Sequence, residues 1–147
     1  MTFIRKMDQY DVPPAFNLMV DEWGESTATR IKDEIYDSFL HDSDFAPEYY
    51  VALNDVNQLV GFAGFVQSHL LNGIYELNGI CIRNDCRNKG IGRELTEKRI
   101  CRIYQLGGTL ILAMTKQVLF FEKLGFKSQF SVDDWHMMTM KLGSVSI

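Results

Sequence analysis

The chain has 147 residues, of which 46% are hydrophobic and 23% are charged, and its net charge is −4. This composition is typical of a folded globular protein and excludes a disordered chain. The sequence pI near 5.3 also argues against a nucleic-acid binder, which needs a basic surface to contact phosphates. At this length we expect one domain that spans residues 1–147.

The thiols and imidazoles form no pattern typical of a disulfide framework or a metal site. An odd number of cysteines, three in all, favours reduced thiols, and the N-terminal segment lacks the apolar core of an export signal. No stretch approaches the roughly 20 apolar residues that span a bilayer. We therefore expect a cytoplasmic protein without membrane contact or bound metal. The residues concerned are Cys81, Cys86, Cys101, His41, His69 and His136.

The first third of the chain predicts a short strand followed by two helices. Residues 3–7 alternate as a strand does. Pro13 and Pro14 are tolerated only in a first helical turn, so a helix begins there and runs to about Glu22. After Gly24, apolar residues recur at helical spacing as far as Leu40 and predict a second helix.

Strands dominate the middle of the chain. Segments 49–53, 58–66 and 74–82 are rich in aliphatic and aromatic residues, and the turn signals NDVN and LNG separate them. These segments predict an antiparallel meander. A helix over 91–106 follows the meander, and two glycines end it.

The last third predicts a buried central strand over 109–114, a short helix over 118–124, and closing strands over 126–130 and 137–142. The complete order is βααβββαβαββ. We therefore predict an α/β (α+β) fold in which helices pack on a mixed sheet of about seven strands.

The stretch CRNKGIGREL, Cys86–Leu95, places two glycines directly before a run of helix-forming residues. Helix N-termini leave backbone N–H groups without partners and carry about half a positive charge. Gly90 and Gly92 keep that end open, and basic side chains surround it. The loop is suited to an anion such as a phosphate or pyrophosphate. The alternative is a tight turn with solvated basic residues.

Two common phosphate loops do not match, because no Lys-Ser/Thr pair follows the second glycine and the three-glycine dinucleotide fingerprint is absent. Instead, RNKGIG, Arg87–Gly92, resembles the R/Q-x-x-G-x-G/A motif of the GNAT superfamily of N-acetyltransferases. FFEKLGF, Phe120–Phe126, resembles the FYEKLGF segment of the same family. The order and spacing of the two motifs also match, and the readable resemblance covers about Ile74–Phe126.

This resemblance implies the GNAT fold, with helices on both faces of the sheet, and acetyl-CoA as the acyl donor without a metal. In the family, the loop amides bind the pyrophosphate, and the strand before the loop binds the pantetheine arm through its main chain. The strand side chains have a plain packing role as well. By position these roles fall on Ile80, Cys81 and Ile82 in the strand, and on Arg87, Asn88, Lys89, Gly90, Ile91, Gly92 and Arg93 in the loop.

Many family members carry a glutamate eleven positions before the first residue of the loop motif, and here that residue is Glu76. It is the candidate base that removes a proton from the attacking amine, directly or through a water. Strand alternation predicts that Glu76 shares an otherwise apolar face with Asn78, Ile80 and Ile82. The alternative is a structural glutamate paired with an arginine.

Many relatives also place a tyrosine four residues before the final Gly-Phe, as general acid to the leaving thiolate. Here that residue is Phe121, which has no proton to give. A thiol with a pKa near the reference of about 8.5 leaves with little help, and we expect Phe121 to pack against the pantetheine arm. Regions that commonly shape the acceptor pocket of the family hold Glu22, Trp23, Glu25, Tyr49 and Tyr50.

The leading interpretation is an acetyl-CoA-dependent N-acetyltransferase that uses direct attack by a primary amine. A small molecule such as an amino acid or polyamine is favoured over a protein lysine. The missing tyrosine motivates an alternative from another class, a non-catalytic acyl-CoA-binding or sensing domain. A third interpretation, a nucleic-acid or protein-binding module, predicts no coenzyme A binding. Family members often pair through sheet edges or C-terminal strands, which leaves a homodimer open.

Overall fold

The structure, a computed structural model, describes residues 2–41 and 43–143. The order of its elements is the predicted one, and their ends differ from the predicted ends by at most two residues. Two single-turn 3-10 helices, Gln9–Asp11 and Asn84–Cys86, were not predicted. The strands and helices are β1 (Phe3–Lys6), α1 (Val12–Trp23), α2 (Glu25–Leu40), β2 (Glu48–Leu53), β3 (Leu59–Gln67), β4 (Ile74–Ile82), α3 (Ile91–Gln105), β5 (Leu110–Thr115), α4 (Val118–Lys123), β6 (Lys127–Val132) and β7 (Trp135–Lys141).

The strands form one mixed seven-stranded sheet in the order β1-β2-β3-β4-β5-β7-β6. The pair β4 and β5 is parallel, and the remaining neighbours are antiparallel. Parallel neighbours need a crossover connection, and α3 supplies it. The α/β prediction with a mixed sheet is therefore confirmed. Within the described part of the chain, no helix is both long and apolar enough to cross a membrane.

Alternate residues of the sheet face two separate apolar clusters. On β2, Tyr49 and Val51 pack with the buried residues of α1 and α2, whereas Tyr50 and Ala52 pack with those of α3 and α4. This alternation follows from the two-residue period of a strand. Helices therefore cover both faces of the sheet, as predicted.

An ion pair holds the start of α1 against β1. The Arg5 guanidinium donates to both carboxylate oxygens of Asp11, at 2.7 and 2.9 Å, and the Asp8 backbone amide donates to Asp11 at 2.8 Å. Burial works to raise the pKa of the Asp11 carboxyl, but these hydrogen bonds outweigh it and hold that pKa below its ordinary value. Asp11 is therefore ionised at neutral pH and fixes the chain just before Pro13.

A β-bulge interrupts the pairing of β3 with β4. The register shifts between Ala63 and Gly64, so that Gly64 lies opposite Asn78, Ala63 lies opposite Ile80, and Gly79 has no partner. Gly79 has a φ of 37°, in the left-handed region that glycine adopts most easily. One extra residue reverses the alternation of the side chains along the strand. Before the bulge, the odd-numbered side chains of β4 face α3, as Tyr75 and Leu77 do. After the bulge, the even-numbered side chains Ile80 and Ile82 face α3 instead.

Candidate functional site

The loop between β4 and α3 leaves the N-terminus of α3 open. Gly90 is the N-cap of this helix, with φ 85° and ψ 2°, and no side chain caps it. Asn88 also has a positive φ, 62°. These two left-handed residues turn the chain so that the first amides of α3, which have no intrahelical acceptor, face outward. The predicted anion site, residues 87–93, thus has the backbone conformation that it requires, and we call it the anion cradle.

The space around the two loop glycines differs. A Cβ built on Gly90 would meet nothing within 4 Å. A Cβ built on Gly92 would lie 3.5 Å from Ile80 Cδ1, 3.6 Å from Ile82 Cδ1 and 3.8 Å from Phe120 Cζ. Gly92 therefore faces the space between the loop, the end of β4 and α4.

A gap opens between β4 and β5 beside this loop. The two strands pair at Ile74 with Leu110, at Tyr75 with Ile111 and at Glu76 with Leu112, and β4 then continues to Ile82 without a β5 partner. The Arg83 amide donates to the carbonyl of Val60 on β3, at 2.8 Å. Strand alternation from Arg83 therefore directs the main-chain groups of Ile80 and Ile82 away from β3, toward the gap.

The loop, the gap and α4 enclose a cleft of about 640 Å³. It brings together nine of the eleven predicted cofactor residues; Cys81 and Lys89 do not line it. Its lining residues are Glu22, Ile80, Ile82, Cys86, Arg87, Asn88, Gly90, Ile91, Gly92, Arg93, Thr115, Gln117, Phe120, Phe121, Lys123 and Leu124. The described residues contain no cluster of ligands that could hold a metal ion.

Two basic side chains, one in the loop and one in the first turn of α3, are paired with carboxylates. Arg87 forms an ion pair with Glu22 at the end of α1, and both side chains are 41% exposed. Arg93 pairs with Glu97 one helical turn further along α3, at 2.6 Å. The predicted positive charge therefore lies at the cradle, but Glu22 and Glu97 partly balance it.

Glu76 lies at the vertex of the gap, at the last paired position between β4 and β5. Its side chain is exposed, so it does not stand on the apolar surface that we expected. The expectation that it shares a face with Ile80 and Ile82 is wrong, because the bulge at Gly79 lies between them. Glu76 and Asn78 face the α1 and α2 side, whereas Ile80 and Ile82 face α3.

Cys81 is buried on the α1 and α2 side and is 2% exposed. Burial raises the pKa of its thiol to about 12. A thiol in that state is not a nucleophile at neutral pH. The structure therefore places Cys81 in the core rather than in the cleft.

Phe121 is 8% exposed and belongs to the core on the α3 side, where its ring makes edge-to-face contacts with Phe120 and Phe126, each at 5.1 Å between centroids. It also lines the cleft. Phe120, which the sequence analysis missed, approaches Gly92 from the same side. The doubled phenylalanine in FFEKLGF is the signal that could have identified it.

The residues expected near an acceptor pocket separate in the structure. Tyr49 and Trp23 lie together on the α1 and α2 side, where both approach Gly79. Tyr50 faces the opposite side of the sheet, so it cannot share a pocket with Tyr49. Glu22 instead pairs with Arg87 of the loop, and Glu25 is exposed at the start of α2.

A family model described as an acetyltransferase (GNAT) domain matches residues 46–128, more than half of the chain. The chain belongs to the GNAT acetyltransferase family. The family predicted from RNKGIG and FFEKLGF is confirmed, and with it the assignment of the chain to the acyltransferases. A search of curated proteins found no match.

Several solved GNAT structures share the fold at low sequence identity. The PaiA N-acetyltransferase of Thermoplasma acidophilum, solved in complex with coenzyme A, has a TM-score of 0.78 at 17% identity, over 97% of this chain and 99% of its own. The YhbS N-acetyltransferase of Escherichia coli, solved with CoA, gives 0.79 at 16%, over 97% and 82%. An aminoglycoside 6'-N-acetyltransferase complexed with coenzyme A gives 0.76 at 17%, over 95% and 96%.

Proposed function

We propose that this GNAT chain is an acetyl-CoA-dependent N-acetyltransferase that acts on the primary amine of a small molecule by direct transfer. The observation that carries the proposal is the continuity of the open helix terminus with the gap between β4 and β5, at whose vertex Glu76 stands. The cradle would bind the diphosphate, and the gap would receive the extended arm and its thioester.

The two predicted ligands would enter the gap from opposite faces of the sheet. Ile80, Ile82 and Gly92 line the cleft on the α3 side, where the cofactor would lie. Glu76 faces the α1 and α2 side and is exposed there, so an amine can reach it from solvent. The bulge therefore supports a division of β4 into a cofactor half and an acceptor half.

Direct transfer requires the protein only to position the amine against the thioester and to supply a proton acceptor. When bound, the thioester supplies an electrophilic carbonyl. The amine nitrogen forms the new C–N bond, the C–S bond breaks, and the electron pair leaves with sulfur. Glu76 accepts the amine proton, directly or through a water. Phe121 has no hydroxyl, so the protein offers no tyrosine acid at this site, and a thiolate of pKa near 8.5 does not require one.

The relatives in complex with coenzyme A support this choice of donor, and the aminoglycoside acetyltransferase among them supports a small amine-bearing acceptor. The net charge of −4 is also compatible with a cationic acceptor. An amino acid, a polyamine and an aminocyclitol antibiotic all present the required primary amine. We favour these classes over a protein lysine.

A thiol-release assay with acetyl-CoA against a panel of amines tests the proposal, and calorimetry with coenzyme A tests the cradle separately. Glu76→Gln should lower kcat at least about tenfold, because a general base contributes roughly 10²–10⁴-fold. It should leave the Kd for coenzyme A within about threefold, since Glu76 does not line the cleft. An unchanged kcat with the preferred amine across the pH range would remove Glu76 from the mechanism.

The same two assays decide the alternative, a non-catalytic acyl-CoA-binding domain. Phe121 at the usual tyrosine position favours that alternative. Coenzyme A binding without thiol release from any amine class would support it. Absence of any binding heat would reject both interpretations of the cradle.

A further inference from the structure

Helix α3 carries an arginine that is almost completely buried. Arg99 is 2% exposed, and it is the largest fully buried side chain in the described part of the protein. Burial lowers the pKa of its guanidinium to about 9, so the group is still charged at neutral pH. Among residues 2–41 and 43–143, no carboxylate forms an ion pair with it. A buried charge without a counter-ion is costly and calls for a specific set of hydrogen bonds.

Backbone carbonyls and one hydroxyl supply those hydrogen bonds. Nη1 donates to the carbonyl of Gly64 at 2.9 Å and makes a longer contact of 3.4 Å with the carbonyl of Asn78. Nη2 donates to Thr96 Oγ1 at 2.9 Å, and Nε approaches the carbonyl of Leu95 at 3.4 Å. Gly64 and Asn78 are opposite each other at the bulge. The guanidinium therefore holds the two strands at the point where their register shifts.

The same network reaches the anion cradle. Thr96 is fully buried, and its hydroxyl donates to the carbonyl of Gly92 at 2.7 Å while it accepts from Arg99. A continuous chain of hydrogen bonds thus runs from Gly92 through Thr96 and Arg99 to the carbonyl of Asn78. Asn78 lies two residues after Glu76 on the same face of β4.

We propose that Arg99, together with Thr96, is a positioning residue that fixes the bulge of β4 relative to the cradle on α3. A bulge disrupts the ladder between two strands, and Nη1 of Arg99 contacts one carbonyl on each of these strands beside the bulge. The bulge directs Glu76 toward the acceptor side and Ile80 toward the cofactor side. Arg99 does not line the cleft, so it acts on turnover through the geometry of β4.

This proposal rests on the proposed function for its kinetic consequence, but its structural part has an independent readout. The test compares Arg99→Met, which keeps the length and removes the donors, with Arg99→Lys, which keeps a charge and removes the fork. Arg102→Met is the matched control, because Arg102 lies on the same helix but bonds Glu48 at the start of β2, at 3.0 Å, away from the bulge. Amide hydrogen exchange is followed peptide by peptide in all three variants.

We expect Arg99→Met to accelerate exchange in residues 61–66 and 77–82 more than in β1 and β2, whereas Arg102→Met does not. In the thiol-release assay, Arg99→Met and Arg99→Lys should lower kcat by about tenfold or more and leave the Kd for coenzyme A within about threefold, the pattern of a positioning residue. Arg102→Met should change neither quantity.

Uniform acceleration of exchange across the protein, or no acceleration at the bulge, would overturn the proposal. Local acceleration with an unchanged kcat would overturn its catalytic part. If the wild-type protein binds coenzyme A but turns over no amine, the proposed function fails while the exchange experiment still decides whether Arg99 holds the bulge. If Arg99→Met does not fold, Thr96→Val removes the bond to Gly92 and one acceptor of Arg99 but keeps the guanidinium contacts at the bulge. It is expected to give the same local pattern at smaller amplitude.

Discussion

The two glycines of the anion cradle should respond in opposite ways to the same substitution. Gly92 lies in the first turn of α3 and has no positive φ, and a Cβ there would stand at ordinary contact distances of 3.5–3.8 Å from three apolar side chains. Gly90 has a φ of 85°, but a Cβ there would meet nothing within 4 Å. The cost at Gly90 is therefore conformational, whereas Gly92 has no such cost.

Gly92→Ala should stabilise the protein by about 0.4–1 kcal/mol, because alanine restricts the unfolded chain where the native conformation accepts it. For a domain of this size that corresponds to a rise in Tm of about 1–4 °C. Gly90→Ala should destabilise it by about 1 kcal/mol, since the left-handed region costs a residue with a Cβ roughly 1–2 kcal/mol. Urea and thermal unfolding of the three proteins measure both changes. Equal destabilisation by both alanines would refute the argument.

A larger side chain at Gly92 tests coenzyme A binding separately from the stability of the protein. A leucine at Gly92 would have to extend into the cleft between Ile80, Ile82 and Phe120. Gly92→Leu should therefore weaken coenzyme A binding by about tenfold or more while it changes the free energy of unfolding by less than about 1 kcal/mol. Calorimetry with coenzyme A measures the first quantity. Undiminished affinity would show that the diphosphate does not lie at this helix terminus.

Three further predictions use single side chains. Glu22→Gln should tighten coenzyme A binding about two- to fivefold at low salt and by less at high salt. The reason is that the exposed ion pair between Glu22 and Arg87, worth roughly 0.2–1 kcal/mol, competes with the diphosphate. Glu34→Gln makes the same change in net charge and should have no effect in the same calorimetry. Asp11→Asn should lower the free energy of unfolding by about 1–3 kcal/mol at pH 7. Because the folded pKa of Asp11 is depressed, this stabilisation is present above about pH 4 and is lost as pH falls through the folded pKa, so the urea midpoints of variant and wild type should converge there. Native Cys81 should resist iodoacetamide at pH 8 and react after unfolding, as mass spectrometry would show; native labelling would contradict its burial.

The order of the elements was predictable because each element is encoded by a local pattern. Proline in a first turn, aliphatic runs of strand length and glycines at helix ends all act within a few residues, and tertiary contacts reinforce them here. The cradle was predictable for the same reason, since RNKGIG joins a strand to a helix directly. The family motifs then predict a diphosphate as the anion, which the calorimetry with coenzyme A tests.

The bulge was not predictable from the same patterns. ELNGICI, Glu76–Ile82, fits a regular strand as well as a bulged one, and an unpaired Gly79 changes neither its length nor its composition. Its position follows from the register with β3, which places Gly64 opposite Asn78. Tyr49 and Asn78 occupy the space of a Gly64 side chain, at 2.6 and 2.9 Å from an ideal Cβ. Such a constraint exists only between segments that are distant in sequence.

Arg99 was missed because a charged residue in an amphipathic helix ordinarily indicates the solvated face. Its burial depends on Thr96 one turn earlier and on the strand carbonyls beside the bulge, which accept its hydrogen bonds. A polar residue on the apolar side of α3 was the sequence signal for this network. It becomes interpretable only once the partner carbonyls are known.

The bulge in β4 and the burial of Arg99 have one physical origin. A regular β4 would direct Glu76, Ile80 and Ile82 to the same face, and the candidate base would then compete with the cofactor for one side of the gap. Insertion of Gly79 turns Glu76 and the two isoleucines toward opposite faces of the strand, at the cost of one residue without a partner on β3. Arg99 bonds the carbonyls beside that insertion from the helix whose N-terminus forms the cradle. Loss of the guanidinium should therefore affect the alignment of base and thioester before it affects either binding site alone.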